Sequence, residues 1–280
     1  MKKYRKISAA IGFSMALMLS ATVNQPLLVT AATSGEMKEE QTTDTESAES
    51  QTEEIEIQDV QGFQELLKNC QYDSWSVGKT VRLVADIDIS SLDFTGIAYF
   101  SGTFEGDGHV ISHVNVSATG SDYGFFRYLG KNAVVNHLKL SGKVHADGSC
   151  ENIGGVVGVN YGTVNGCSFT GTIDGKAAVG GIAGVNENSG KIVNCTSAVT
   201  ITATDETGGI VGNNQGLVSG CTSESSVNTE ELNTTMDLGG VDIGTLNITK
   251  RVIDRNDMGG IAGVSTGIIS ECVNKGSLGF

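Results

Sequence analysis

A glycine-rich pentapeptide, Gly-Gly-aliphatic-small-Gly, occurs four times in this chain of 280 residues and constrains its fold more than any other feature. The copies begin at residues 154, 180, 208 and 259. Successive starts lie 26, 28 and 51 residues apart. Periods of this size are typical of stacked repeats, in which each unit buries its apolar face only against its neighbours. Each copy is followed by a second motif, Gly-x-aliphatic-x-x-Cys, which ends at Cys167, Cys195, Cys221 and Cys272.

The residues within one period favour short strands over helices. Single aliphatic residues alternate with other residues, which is the pattern of strands joined by tight bends. The chain contains 38 glycines, and a glycine inside a helix costs about 1 kcal/mol. Strands that stack on equivalent strands one period later form parallel sheets. We therefore predict an all-β fold, a right-handed parallel β-helix, with an aliphatic residue six places after each cysteine at Ile173, Ile201, Val227 and Leu278.

Two positions of the repeat are expected to form columns along the solenoid. Leu138 and Val114 take the place of the cysteine in two earlier coils, so this place is predicted to face inward. The second column consists of asparagines at one corner, because Asn tolerates a left-handed backbone and can hydrogen-bond along a stack. Its members are Asn160, Asn186 and Asn214, with Ser265 in the fourth unit.

The cysteines themselves allow two interpretations. Six cysteines in a secreted protein suggest disulfides, and neighbouring coils place Cα atoms within bridging range. Four of the six, however, share a position that Leu138 and Val114 fill elsewhere. We therefore predict a buried column of free thiols, and bridging remains open as the alternative.

The composition divides the chain into three predicted segments. Residues 1–32 carry a basic start, an apolar run from Ile7 to about Leu19 and small residues at Thr30-Ala31-Ala32, the pattern of a secretory signal peptide. An uncleaved membrane anchor is the alternative. Residues 33–56 contain mainly Glu, Thr, Ser and Gln and are expected to be a disordered acidic linker. The β-helix is expected to occupy residues 57–280.

A short helix is expected at the start of the β-helix. Val60, Phe63, Leu66, Leu67 and Cys70 lie on one helical face, and Asp59 is a plausible N-cap. Such a helix would cover the open end of the solenoid. The first strand is predicted to follow at residues 81–89.

Charge and missing motifs narrow the function. Removal of residues 1–32, which carry four basic and no acidic side chains, leaves 14 basic against 32 acidic side chains, a net charge of −18. This disfavours nucleic acid and anionic lipid as partners, and no second membrane-spanning segment follows. The sequence contains neither a His-Glu-x-x-His zinc motif nor a complete phosphate-binding loop. We predict no catalytic residue, no metal ligand and no cofactor.

Two groups of polar residues are candidate binding or catalytic sites. His113 and His137 each precede the inward position of adjacent coils, which would place their rings about 4.8 Å apart on the outside; two ligands without a third are weak evidence for a metal. Asp86 and Asp88 share one face, with Asp93 beyond them, in a pattern compatible with calcium binding or acid catalysis. Solvated outward charge is the simpler interpretation of both groups.

One interval breaks the rhythm. Thirteen residues separate a cysteine from the next Gly-Gly in two units, but the interval after Cys221 is longer by 25 residues. We expect an insertion at about 222–258 that leaves the solenoid and is either a recognition element or a neutral excursion. The chain stops eight residues after Cys272, inside an incomplete coil, which favours a longer parent protein.

The repeat resembles a known motif. Gly180-Gly181-Ile182-Ala183-Gly184-Val185-Asn186 is similar to the GLUG motif of bacterial surface proteins, and residues 84–90 followed by 100–109 look like the opening coils of such proteins. The resemblance covers roughly residues 80–280. It implies a secreted or cell-surface β-helix, as found in adhesins and in N-terminal regions of IgA-specific metalloendopeptidases of Gram-positive bacteria, with no catalytic residue in the repeats.

The sequence thus favours a secreted or cell-surface, non-enzymatic module for adhesion or display, from a bacterium and in particular a Gram-positive one. Its partner would be a protein or glycan on a host or neighbouring cell. Two alternatives remain: the non-catalytic N-terminal region of a larger metalloprotease, and a polysaccharide lyase or hydrolase that uses Asp86, Asp88 or Asp93.

Overall fold

A computed structural model of the chain describes residues 53–146, 149–228 and 257–279. These contain one helix, α1 (Val60–Asn69), and short strands throughout. The predicted signal peptide and the predicted linker up to residue 52 lie outside the described residues. In chain order the strands are β1 Glu53–Ile57, β2 Lys79–Leu83, β3 Ile87–Asp88, β4 Ile97–Phe100, β5 Thr103–Glu105, β6 Val110–Ala118, β7 Phe126–Leu129, β8 Val134–Asn136, β9 Lys139–Ala146, β10 Glu151–Gly154, β11 Val157–Asn160, β12 Thr163–Asn165, β13 Ser168–Asp174, β14 Ala177–Gly180, β15 Ala183–Asn186, β16 Lys191–Val193, β17 Thr196–Thr202, β18 Thr207–Gly208, β19 Val211–Asn214, β20 Leu217–Ser219, β21 Thr222–Ser223, β22 Ser226–Val227, β23 Met258–Gly259, β24 Ala262–Ser265, β25 Ile268–Ser270, β26 Val273–Asn274 and β27 Ser277–Leu278.

All strand pairs between coils are parallel, and they build four sheets. The first sheet has the order β1-β2-β5-β8-β12-β16-β20-β25 and the second has β3-β6-β9-β13-β17-β21-β26, with β22 and β27 beside it. The third sheet is β4-β7-β11-β15-β19-β24 and the fourth is β10-β14-β18-β23. A complete coil such as β10–β13 visits the fourth, third, first and second sheets in turn. The predicted parallel β-helix is confirmed, with about six turns; its right-handed sense stays a prediction from the usual hand of parallel crossovers.

The predicted helix forms and lies against the first coil. The Asp59 carboxylate accepts a hydrogen bond of 2.8 Å from the Gly62 amide, which is the expected N-cap. Phe63 is fully buried, and its ring centroid lies 5.8 Å from those of both Phe94 and Phe125. The helix therefore contributes an aromatic side chain to the core of the solenoid.

The chain enters the fold earlier than expected. Residues 53–56, predicted as part of the disordered linker, belong to β1, which pairs in parallel with β2. Lys79 and Arg82 on β2 form ion pairs with Glu53 and Glu54. The acidic composition was misleading here because these carboxylates lie on the outer face of a strand whose Ile57 is buried.

The predicted first strand at residues 81–89 is also wrong in its continuity. It divides into β2 and β3, which belong to different sheets. Val81, Leu83, Ile87 and Ile89 nevertheless all face inward, as the alternation indicated. The chain turns a corner between residues 83 and 87 without changing the inward alternation, so periodicity alone could not show the break.

The glycines of the pentapeptide are explained by close approach of neighbouring coils. A Cβ atom on the first glycine, Gly154, would lie 2.7 Å from the Cα of Ala183 in the following coil. One on the third glycine, Gly184, would lie 2.5 Å from the backbone nitrogen of Ile153 in the preceding coil. A Cβ on the second glycine, Gly181, would collide with the carbonyl oxygen of Gly209 in the following coil and would lie 2.6 Å from the Cβ of Ser197 in its own coil. Each glycine therefore marks a contact that leaves no room for a side chain.

The cysteine column is confirmed for the repeat units, with one change of alignment. Cys167, Cys195 and Cys221 are at most 1% exposed, and the strands that follow them pair in register. Leu138 shares the column, since the residue after it pairs with the residue after Cys167. Val114 does not, because it pairs with Gly142; it is still buried.

The asparagine column forms a continuous buried ladder. Nδ2 of Asn160 donates to Oδ1 of Asn186, and Nδ2 of Asn186 donates to Oδ1 of Asn214, each at 2.8 Å. Asn214 then donates to the Ser265 hydroxyl at 3.0 Å. These asparagines do not have left-handed backbones. The left-handed corner lies directly before the cysteine column instead, at His137, Gly166, Asn194, Gly220 and Glu271.

The segment that leaves the repeat pattern is shorter than the predicted insertion at about 222–258. Residues 222–228 still contribute β21 and β22, and Met258 already lies in β23. The coil at 257–279 pairs directly with the coil at 207–227. Residues 229–256 lie outside the described residues. The coils on either side of this interval are direct neighbours, so the solenoid continues without a missing coil.

Candidate functional site

The aspartates proposed as a site are bonded to histidines of the next coil. Nδ1 of His109 lies 3.1 Å from Oδ1 of Asp86, and Nδ1 of His113 lies 3.0 Å from Oδ1 of Asp88. The carboxylates are 71% and 57% exposed. A hydrogen bond from the Val110 amide lowers the pKa of Asp86, and one from the Ser90 amide lowers that of Asp88.

These directions argue against acid catalysis. A carboxylic acid that protonates a leaving group needs a raised pKa, whereas both carboxylates are stabilised in the ionised form. In residues 53–146, 149–228 and 257–279, no three His, Cys, Asp or Glu side chains are grouped closely enough to hold a metal. Asp86 and Asp88 form hydrogen bonds between coils at the surface.

The predicted pairing of His113 with His137 is wrong. The register between β6 and β9 shifts between Ile111 and Val114, and His113 lies in this bulge with φ 58°. His113 contacts Asp88 of the preceding coil, whereas the ring of His137 lies beside Gly166 of the following one. His137 precedes Lys139, which pairs with Val110, whereas His113 follows Ile111, which pairs with Leu140. The two rings therefore lie at different positions along their coils, and the bulge accounts for only one residue of the offset.

The thiols of the cysteine column are buried and are expected to be unreactive. The thiols of Cys167, Cys195, Cys221 and Cys272 are free. Each donates to the carbonyl two residues before it, at 3.2–3.4 Å, and to a carbonyl one coil earlier, at 3.4–3.8 Å. Burial raises the pKa of Cys195, and the hydrogen bond with Cys195 raises that of Cys221. The carbonyls two residues before the cysteines already accept hydrogen bonds from backbone amides of the preceding coil, so the S–H groups add only weak contacts, and Leu138 can replace a cysteine in the column.

We expect these thiols to resist alkylation in the native protein, because only the thiolate reacts and burial suppresses it. Iodoacetamide followed by mass mapping should modify Cys272, which is half-buried in the last described coil, well before Cys195. In denaturant all four should react at similar rates. Native modification of Cys195 as fast as that of Cys272, or its quantitative oxidation, would contradict the buried column.

A different group of side chains forms the most distinctive outer surface. Tyr99 and Tyr128 on the third sheet, together with Tyr161 directly after β11, form a surface that we call the tyrosine face. Tyr123 adjoins this face but packs partly against the main core. Tyr99 and Tyr128 are register neighbours on β4 and β7. Below them, Tyr128 packs on a small apolar cluster of Val159, Ala178 and Val185, separate from the main core.

Asp122 lies beside Tyr128 on the tyrosine face. Its carboxylate accepts hydrogen bonds from the Tyr128 hydroxyl and, at 2.6 Å, from Nδ2 of Asn152. Its carbonyl accepts one of 3.1 Å from Nε of Arg127. The Arg127 guanidinium lies 4.2 Å from the centroid of the Tyr123 ring, a cation–π contact.

Tyr161 completes the face and is 40% exposed. Desolvation, the Glu187 carboxylate and Asp122 together raise its pKa. Burial and the bond to Asp122 raise the pKa of Tyr128 to about 12. Both phenols therefore stay neutral at physiological pH, and the face presents aromatic rings beside two carboxylates.

The sequence contained a signal for this face that the repeat pattern concealed. Phe126 and Tyr128 pair with Val157 and Val159, and Tyr123 bridges Ile153, so residues 124–127 are a degenerate copy of the pentapeptide that is one residue shorter and in which Arg127 replaces the third glycine. Extending the alignment back to this copy would have placed Tyr99 and Tyr128 one above the other.

Two segments of the chain match a family model for the GLUG motif, residues 149–174 and residues 175–202. They coincide with the coils β10–β13 and β14–β17. The chain contains GLUG repeats. The resemblance noted from residues 180–186 is thereby confirmed, and each GLUG unit corresponds to one turn of the solenoid.

Two other proteins are similar to parts of this GLUG-repeat chain. Halomucin from Haloquadratum walsbyi is 32% identical over 123 residues, which is 38% of this chain and 1% of halomucin. A crystal structure of a candidate immunoglobulin A1 protease from Bacteroides ovatus matches 79% of this chain and 77% of its own, at 18% identity and a TM-score of 0.48. The second match is too distant to carry an argument. Because the chain spans only a hundredth of halomucin, that protein's activity and partners do not transfer directly.

No helix within the described ranges is long and apolar enough to cross a membrane. The matches give no support to a Gram-positive source.

Proposed function

We propose that this GLUG-repeat chain is a secreted or cell-surface β-helix that serves adhesion or display and has no enzymatic activity. The observation that carries the proposal is the use of the repeated polar groups. The asparagines of the ladder bond to one another, and the thiols of the column donate to backbone carbonyls. Every buried side-chain nitrogen and oxygen atom in the described coils has a partner. The repeats stabilise a rod and leave its outer faces free to vary.

The surrounding sequence supports the extracellular part of the proposal. Residues 1–32 have the charge and hydropathy pattern of a secretory signal, and the acidic segment after them suits a spacer between a cell and a rigid rod. An acidic surface also keeps an exported rod soluble and suppresses self-association.

Export is tested by fractionating cells that produce the full chain. The mature protein should appear outside the cytoplasm and should begin near Thr33. Leu17→Arg, which places a charge inside the apolar run, should hold the protein in the cytoplasm. A wild-type chain that stays cytoplasmic with its N-terminus intact contradicts the proposal.

Adhesion is tested with the mature protein on arrays of cell-surface proteins and glycans. We expect saturable binding to a restricted set of spots and no turnover of any of them. Release of cleaved glycan or peptide would show an enzyme, and absence of binding across both arrays would contradict an adhesion role.

A further inference from the structure

The composition of the tyrosine face points to a partner. We propose that this face binds a basic segment of another protein, with Lys or Arg side chains placed against the tyrosine rings and beside the carboxylates of Asp122 and Glu187. This inference rests on the proposed function as a binding module and names the class of partner.

The first argument is the concentration of rings. The sequence has six tyrosines, and three of them, Tyr99, Tyr128 and Tyr161, form this one face. Tyr is enriched at the energetic centres of protein interfaces because it adds contact area with little loss of rotamer freedom. Isolated surface tyrosines need no explanation, but three together, with Tyr128 held by its hydrogen bond to Asp122, form a prepared surface.

The second argument is a contact within the chain that resembles the proposed one. The Arg127 guanidinium already lies against Tyr123, with 4.2 Å between its central carbon and the ring centroid. The backbone oxygen of Asp122 accepts from the same side chain. A cation on an aromatic ring beside an acidic residue is thus an arrangement that this surface demonstrably accommodates.

The third argument is charge. Glu187 and Asp122 both act electrostatically on Tyr161. Arg127, a cation beside this face, is engaged with the ring of Tyr123. An anionic ligand would meet two carboxylates, whereas a basic one would meet complementary charge. The net charge of the whole chain, −14, would steer the same partner toward the rod.

The proposal is tested by fluorescence anisotropy with a labelled short peptide of alternating Lys and Gly, and with a matched peptide of alternating Glu and Gly. The full chain should bind the basic peptide and not the acidic one. Tyr161→Ala should weaken binding about fivefold, while Tyr161→Phe, which keeps the ring, should change it less than about twofold. Glu187→Gln should weaken binding about threefold, and less at high salt.

Glu65→Gln is the control, because Glu65 is exposed on α1 and its loss changes the net charge equally. It should leave the affinity within about twofold of wild type. Equal weakening by Glu65→Gln and Glu187→Gln would show diffuse attraction to an acidic protein and overturn the site. So would an unaffected Tyr161→Ala variant. Array binding of a neutral glycan that depends on Tyr161, without peptide binding, would overturn this inference and leave the adhesion role intact.

Discussion

Gly184→Ala is expected to destabilise the native coil by more than about 4 kcal/mol, among the largest effects of a single methyl group. Gly184 is the third glycine of the second pentapeptide. An added Cβ would lie 2.5 Å from the nitrogen of Ile153 and 2.8 Å from the Cα of Asn152. Both are backbone atoms of the preceding coil, and they are held by parallel pairing between β10 and β14. They can move only if the coils separate.

The measurement is urea unfolding followed by far-UV circular dichroism, with the midpoint and slope compared to wild type. Gly120→Ala is the matched control, because a Cβ on Gly120 has no heavy atom within 4 Å. It should change stability by less than about 0.5 kcal/mol. A Gly184→Ala midpoint equal to that of Gly120→Ala would show that the coils are farther apart than the structure has them.

The close contact at Gly184 recurs in other coils, and this recurrence explains why the fold could be predicted from the sequence. The pentapeptide records contacts between coils that recur at every turn, so one steric requirement is written four times in the sequence. The inward cysteine, its Leu138 equivalent and the aliphatic residue six places later repeat for the same reason. Periodicity identifies the parallel β-helix because every coil repeats the same contacts.

The errors arose where a coil departs from the period. The corner at residues 106–109 is two residues longer than the matching corner at 137–138, and the bulge at His113 adds a third, so that Val114 pairs with Gly142 and not with Leu138. The strand β1 precedes α1 and has no pentapeptide, so its charged residues looked like linker. In both cases tertiary pairing outweighs a local pattern, and a single sequence carries no mark of it.

The tyrosine face was missed for a related reason. Its residues do not repeat: Tyr128, Val159, Val185 and Asn213 occupy the same column in successive coils. A search for periodic residues finds the groups that stabilise the rod and passes over those that differ from coil to coil. In a solenoid of this kind, the residues that break the column are therefore the better candidates for recognition.

The asparagine ladder provides the second large effect. Asn186→Ala should destabilise the protein by about 3–5 kcal/mol, because it removes a buried amide that is hydrogen-bonded to both neighbours in the ladder. Asn186 is fully buried, accepts from Asn160 and donates to Asn214. Its Nδ2 also lies 3.3 Å from the carbonyl oxygens of Gly190 and Leu217. Urea unfolding at neutral pH measures the loss.

Asn188→Ala is the control, because Asn188 makes a similar amide–amide contact between coils, 3.4 Å to Gln215, but on the exposed surface. It should change stability by less than about 0.5 kcal/mol. If the buried and exposed substitutions have equal effects, the ladder adds nothing beyond packing.

Asn186→Asp separates hydrogen bonding from volume. The substituted carboxyl is nearly the same size but, when ionised, can no longer donate to Asn214. Burial raises its folded pKa above the unfolded value of about 4. The protonated acid can still donate, so the variant should approach wild-type stability below that value and lose stability as the pH rises through the folded pKa. Because a simple cavity has no such pH dependence, a stability that falls with rising pH shows that position 186 requires a neutral hydrogen-bond donor and not only volume.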